Sequence, residues 1–466
     1  MSRYPPALLA TTVALVLWPW CQEAPARERA GPAEPGAGGR AAHALKATIV
    51  AGPFDIHRQY RSMEGPYVVK TVRVADLVAC GQLTLPEELV TYLEGRPGAA
   101  PATGSSPASM IPAQQGGPPP PSGQAGSSRR ELYWLQGIRL QVLDENDQLL
   151  SSGEFICHLN VDVDPEFRNQ AFPKGERCGN ARLITLTQGQ TEFFFPRGYA
   201  VPVASDERWT FTFQAANRTT VAHRRLRHLL SLVLVKDSDL AAPVKALHWR
   251  TPYVAVATDR EPEHRLPGVS GHGPDCLAIS AGEVAPNMVP GSLLTDKQGR
   301  RLTTHFLVPA GSHTFRTPVS EQGEAGFAGQ EMRIHAAWTH VHPLCARASL
   351  VDCTGASRRR VLTVHARTST KDGLQIKRID NISSPRGIDL PAGRRYELEA
   401  TYMNPTGEPQ DAMVALGLFF QDDRFEKPDW RTGPITPSPA ADGGSAASPG
   451  AKSGDLYCGV RAASKP

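Results

Sequence analysis

The chain has 466 residues, roughly three times a common domain length, which excludes a peptide scaffold and points to two domains plus additional segments. Its 42 Gly and 41 Pro indicate β-rich or loop-rich architecture, and 50 Lys+Arg against 46 Asp+Glu leave a net charge of +4, too little to imply a nucleic-acid or polyanion partner. Eight Cys without any C-x-x-C spacing are too few for a disulfide framework and too scattered for a zinc ribbon.

Residues 1–26 read as a secretory signal. Arg3 precedes the apolar stretch Ala7 to Trp20, which is short for a membrane span, and an A-x-A cleavage site follows at Ala24-Pro25-Ala26. The alternative is a lipoprotein signal acylated at Cys21, against which the bulky Trp20 stands. No later run approaches the roughly 18 apolar residues of a spanning helix, so the mature chain is expected to be secreted or periplasmic with no membrane span.

Residues 27–46, 94–129 and 432–466 are dominated by Ala, Gly, Pro and Ser and cannot offset the entropy of ordering, so they are expected to be disordered tails and an insertion. Deleting 94–129 should leave thermal stability nearly unchanged. Between them lie two blocks, 47–260, which carries the insertion, and 275–425. Both read as strands. In the first, LYWLQGIRLQVL, TEFFFPRGYAVPV and RWTFTFQAAN are aromatic-rich and alternate, with a turn cluster at Asp144 to Asp147. In the second, RRLTTHFLVPAG, EMRIHAAWTHVHPL, RRYELEATYMN and DAMVALGLFF repeat the pattern between turn signals such as Asn404-Pro405-Thr406-Gly407. Only Pro86 to Leu93 has helical flavour. The expected class is all-β: two antiparallel jelly-roll-type β-sandwich domains in tandem.

The stretch Arg333 to Leu344 carries the chemistry. Strand alternation places Ile334, Ala336, Trp338, His340 and His342 on one face and His335 on the other. An apolar face therefore ends in two imidazoles close enough to share a metal ion, although an H-x-H pair also arises by coincidence on surfaces. Met413, at the start of the strand Asp411 to Phe420, is core filler in isolation. Beside two His ligands its thioether is a soft donor that favours Cu(I). His305 and His313 precede the metal strand as supporting or surface groups.

With these residues in place, the second block resembles the C-terminal domain of the copper type II, ascorbate-dependent monooxygenases, the family of peptidylglycine α-hydroxylating monooxygenase and dopamine β-monooxygenase. The resemblance is closer still to the bacterial relatives of the plant stress up-regulated nodulin-like proteins. It rests on the VPAGSH turn (Val308 to His313), the H-x-H strand, the ELEATYMNPTG strand and turn, and the Met strand; in the first block it rests on GIRLQVLDENDQLLSSGEFICHLNVDV, CGNARLITLTQGQTEFFFPRGYAVPV and FTFQAANR. It implies one copper ion on His340, His342 and Met413 that activates dioxygen for C–H hydroxylation, facing a cleft between the sandwiches. It also implies ascorbate or another external electron donor, and an unknown small-molecule or peptide-like substrate. The chain departs from the family in the first block. The place of the electron-transfer His-His pair reads Cys157-His158-Leu159, and the third His corresponds to Gln214 or a neighbour. A degenerate second metal site built from His158, Cys157 and His228 or His223 is one reading; a core or interface histidine is the other. Cys345 with Cys353, on what read as successive strand ends, and Cys157 with Cys178 are candidate disulfides. Two functions stay open: a copper monooxygenase, or a non-catalytic copper-binding or structural protein on the same fold. Complete loss of metal is the third outcome.

Overall fold

The computed structural model describes residues 44–57, 65–80, 82–84, 90–92, 130–150, 153–219, 221–240, 242–257, 294–295, 301–322, 325–369 and 374–430. The expected signal, the insertion 94–129 and the tail 432–466 lie outside the described residues. Of the expected N-terminal tail, Ala44 to Lys46 belong instead to a strand, paired with Val233 to Val235.

The chain is all-β. The first sandwich contains β1 (Ala44–Ile56), β2 (Pro66–Arg73), β3 (Leu132–Leu143), β4 (Ile156–Val163), β5 (Arg182–Thr187), β6 (Tyr199–Ala204), β7 (Arg208–Ala215) and β8 (His223–Lys236). After β9 (Lys245–Arg250) come β10 (Gly311–Pro318), β11 (Met332–Val341), β12 (Cys345–Asp352), β13 (Arg359–Ser369), β14 (Gln375–Ile379), β15 (Ile382–Leu390), β16 (Tyr396–Asn404) and β17 (Val414–Gln421). One long sheet runs β15-β11-β17-β9-β6-β3-β8-β1 across both halves. A five-stranded sheet containing β2-β7-β4-β5 covers it in the first half, and another, β10-β16-β12-β13-β14, covers it in the second. The two sandwiches thus share a wall, joined where β9 pairs parallel with β6 and antiparallel with β17.

Two short α-helices among the described residues fall where the sequence reading placed none. α1 (Val74–Cys80) follows β2 directly. α2 (Pro165–Ala171) starts at Asp164, whose carboxylate accepts from the N–H groups of Glu166 and Phe167, with proline at the first helical turn; this is an N-terminal signature legible in sequence. The helical flavour of Pro86 to Leu93 is overridden at Val90–Tyr92, a strand paired with Pro66 to Val68. There pairing to an existing sheet outweighs local propensity.

β11 and β17 pair with one another, and each presents two buried faces. Ala337, Val341, Val414, Leu416, Leu418 and Phe420 close the second core, while Ala336, Trp338, Met413, Ala415 and Phe419 pack with the first. This double burial explains why VALGLFF is apolar without alternation. Ile334 departs from expectation: it packs in the second core rather than with Ala336. A register irregularity between Ile334 and Ala336 inserts one residue into β11, so the alternation changes phase at His335. His335 consequently lies against the first sandwich, its ring stacked 3.9 Å from Tyr199.

Candidate metal centre

From Ala336 onward the alternation holds, and it delivers the predicted pair. His340 opposes Ala415 across the β11–β17 ladder, and the His342 N–H donates to the Met413 carbonyl at 3.2 Å. His340, His342 and Met413 are 5%, 3% and 2% exposed. The imidazoles of His340 and His342 meet edge to face with centroids 5.4 Å apart. Two imidazoles sharing a first-row ion at near-tetrahedral angles hold their centroids roughly 5 Å apart, a separation close to that of this pair. Tyr402 fixes the backbone beneath the thioether by donating its hydroxyl to the Met413 carbonyl at 3.0 Å.

Two further residues join this group without having been assigned to it from sequence. His305, read as a supporting or surface residue, is 3% exposed, with its ring 5.6 Å from that of His342. Asp411 places Oδ2 2.7 Å from His342 Nδ1, the carboxylate–imidazole arrangement that fixes a ligating histidine's tautomer and leaves Nε2 for the ion. Burial opposes ionisation of Asp411, but the charge and hydrogen bond of His342, supported by Arg218 and His305, hold its carboxyl well below the ordinary carboxylate range. Asp411 opens the strand drawn from sequence over Asp411 to Phe420, two residues before Met413. His313 stays apart, its Nε2 bonded to the Ala310 carbonyl.

His158 reaches the same place from the first sandwich. On β4, Leu159, Val161 and Val163 pair with Phe213, Phe211 and Trp209 on the core face. His158, Asn160 and Asp162 therefore point to the opposite face, toward the second half. There the His158 ring lies 5.8 Å from that of His340, edge to face. Arg182 donates to both carboxylate oxygens of Asp162 (2.5 and 3.2 Å) and to Thr185 Oγ1, which donates to Asn160. Burial, followed by the Arg182 charge and His342, pushes the His158 pKa down to about 3. Burial, then His342, His158 and Arg182, holds His340 well below the ordinary histidine range. Both imidazoles are neutral at physiological pH, the form that binds metal.

The structure does not bring His158, Cys157 and His228 together. Cys157 follows the core-facing alternation of β4, and His228 sits inside the first core, its ring against Phe54 and Phe213 and its Nε2 3.2 Å from the Phe155 carbonyl. His223 lies beside Phe155 and Glu145. Gln214 pairs with His158 across the β4–β7 ladder and donates its amide to the Gly65 carbonyl. Neither expected disulfide is present. Cys345 and Cys353 are unbonded; they stand at the two ends of one strand, separated by roughly 26 Å at the usual strand rise, far beyond disulfide reach. Cys178 is a thiol that donates to the Asn180 carbonyl, so it does not bridge to Cys157.

In place of the expected cleft, the two halves are packed together. The Trp338 indole N–H donates to the Leu183 carbonyl at 3.0 Å. The turn Gln188-Gly189-Gln190 accepts the backbone N–H groups of Ile376, Ile379 and Thr339. One cavity of about 10 Å³ is lined by His158, Asn160, Arg182, Thr185, His340, Met413 and Ala415; another of about 20 Å³ touches His340, His342, Gln188 and Arg218. Spaces of this size admit a water or an ion but no organic substrate.

The donor set suits a soft ion. His340 Nδ1 and His342 Nε2 are buried without a hydrogen-bond partner, and Met413 lines the same cavity as His340. Among the described residues no group of three or more His, Cys, Asp and Glu side chains is arranged to hold a metal ion; two imidazoles with a methionine sulfur are, as chemistry, a donor set that favours Cu(I).

Searches for relatives give no family. No family model matches the chain, and no curated protein does. Among solved structures, a chain in the atomic structure of Sulfolobus turreted icosahedral virus is 10% identical with a TM-score of 0.15, and the alignment covers 63% of this chain and 54% of that one. The STIV MCP is 7% identical with a TM-score of 0.22, covering 64% of this chain and 88% of that one. The chain spans about half the length of the first of these, and similarity at this level fixes neither family nor function.

Proposed function

We propose that the chain is an exported copper-binding protein that holds one ion with His340, His342 and Met413, on a double sandwich resembling that of the copper type II monooxygenases. The carrying observation is the pair of buried imidazole nitrogens, His340 Nδ1 and His342 Nε2, left without hydrogen-bond partners, with Met413 lining the cavity that His340 lines. A buried polar group without a partner costs about 1–3 kcal/mol, and a bound ion removes that cost. When bound, copper supplies a soft Lewis-acid and one-electron redox centre. The protein's own residues keep the His340 imidazole neutral by burial, fix His342 through Asp411, and pack the two halves together around the site. That packing favours ion binding over hydroxylation, since the spaces of about 10 and 20 Å³ hold no substrate. The oxygenase reading requires the halves to part and requires ascorbate or another external donor.

Metal analysis after anaerobic Cu(I) loading and desalting tests the proposal. It should give about one copper per chain, lost in His340→Ala and weakened in Met413→Ala, with a sulfur scatterer in the X-ray absorption spectrum that disappears in the Met variant. A chain that retains no copper overturns the proposal. Ascorbate-dependent oxygen consumption by the loaded protein would then favour the oxygenase.

A further inference from the structure

We infer that His158 of the first sandwich, in place of His342, completes with His340 and Met413 the ligand set of the ion, so that copper ties the two sandwiches together; this rests on the copper reading above and revises its third ligand. The side chains of His158, His340 and Met413 line one cavity of about 10 Å³. His342 does not line it; its Nδ1 is held by Asp411 at 2.7 Å. The His158 and His340 rings face one another across the junction at 5.8 Å, close to the separation of His340 and His342 at 5.4 Å. The hydrogen bonds that join Asp162, Arg182, Thr185 and Asn160 do not involve the His158 imidazole. That chain of polar groups also decides what the cavity can take. Arg182 lines it, and although Asp162 pairs with the guanidinium, its charge disfavours a divalent cation more than a monovalent one. Neutral imidazoles and a thioether then select Cu(I) on both charge and softness. The geometry departs from the arrangement implied by resemblance, in which the equivalents of His158 and His340 serve separate coppers across a cleft.

The test is anaerobic Cu(I) titration of the full chain against a chromophoric chelator, in the unmutated protein and in His158→Gln and His340→Gln. His158→Gln should weaken Cu(I) binding at least tenfold, remove one nitrogen scatterer from the X-ray absorption spectrum, and shrink the copper-induced rise in Tm. Wild-type affinity in His158→Gln, with binding lost in His340→Gln, overturns the inference and leaves the copper reading standing. No binding by the unmutated chain removes both. If the His158 variant does not fold, ligation is read on the unmutated chain by histidine side-chain NMR. Cu(I) should shift the His158 and His340 resonances together, and a His158 signal unmoved at saturation overturns the inference equally.

Discussion

Gly417 carries the sharpest mechanical prediction about the junction. It pairs with Trp338 across the β11–β17 ladder, and a Cβ placed on it would lie 2.0 Å from Trp338 Cε2 and 2.1 Å from Nε1. The indole therefore covers the glycine, fully buried, with its N–H spent on the Leu183 carbonyl. In Gly417→Ala the ring must move. Overpacking costs about 1–3 kcal/mol, and stranding a buried carbonyl costs about 1–3 more. Against these stands about 0.4–1 kcal/mol gained because alanine restricts the unfolded chain. The net expectation is a loss of about 3 kcal/mol, read as a lower urea midpoint at unchanged m-value. Gly355→Ala, where nothing lies within 4 Å of the added atom, serves as the control and should stay within about 0.5 kcal/mol of wild type. Because the two changes act on one contact, Gly417→Ala with Trp338→Leu should cost less than the sum of the single variants. A Gly417→Ala protein within about 1 kcal/mol of wild type, or strict additivity in the double variant, would refute the reasoning.

Two further outcomes concern charge in the first sandwich. His228 is fully buried, and burial lowers its pKa to about 4 against the ordinary 6.5. The unfolded chain therefore takes up a proton that the folded one refuses, so stability is complete above the ordinary value and falls as pH drops toward 4. Between pH 7 and 5 this group should remove about 2 kcal/mol, seen as a flatter pH profile in His228→Phe; parallel profiles would contradict it. Arg168 donates to both carboxylate oxygens of Glu207 at 2.8 and 3.0 Å, with side chains 6% and 0% exposed. Arg168→Met should cost about 3–5 kcal/mol in urea unfolding by leaving the buried Glu207 charge with only the Ala204 N–H as donor, and adding Glu207→Leu should recover much of that loss; a double variant less stable than the single one would argue against this pairing.

Local alternation made most of the strands legible, because side-chain direction along a strand follows directly from residue order. It correctly joined Ala336, Trp338, His340 and His342, yet failed two positions earlier at Ile334, where one extra residue reverses the phase. A bulge leaves no mark in the pattern of apolar residues. α2 was readable from Asp164-Pro165, whereas Val90–Tyr92 is a strand only because β2 offers an edge. The His340–His342 pair lies at the end of one strand and the residue just past it, and was visible for that reason. His158 and His305 join it through tertiary packing, and no spacing rule connects residues on different strands of different sheets. The same limit explains Cys345 and Cys353: their separation fits one strand as well as two, and the turn that would have brought them together is absent.

Whether the junction can open bears directly on binding against catalysis. The halves are continuous through hydrogen-bonded strands, since β9 joins β17 to β6. They are also pinned by the Trp338 indole and by three backbone donors that end on Gln188, Gly189 and Gln190. Each such bond contributes about 0.5–1.5 kcal/mol when made, and more is lost if its buried partner is stranded. Parting the sandwiches by the width of a substrate would break several at once and expose Trp338, Met413 and Phe419 to water, adding a hydrophobic cost on the order of 1.5–3 kcal/mol for each large side chain. That sum is a large fraction of ordinary domain stability, so an open state would be rare without a ligand that strongly prefers it. A small ion needs no such opening. An ion bound as proposed would enter where His158, His340 and Met413 already line a water-sized space, and a shared ligand set would hold the junction closed more firmly still.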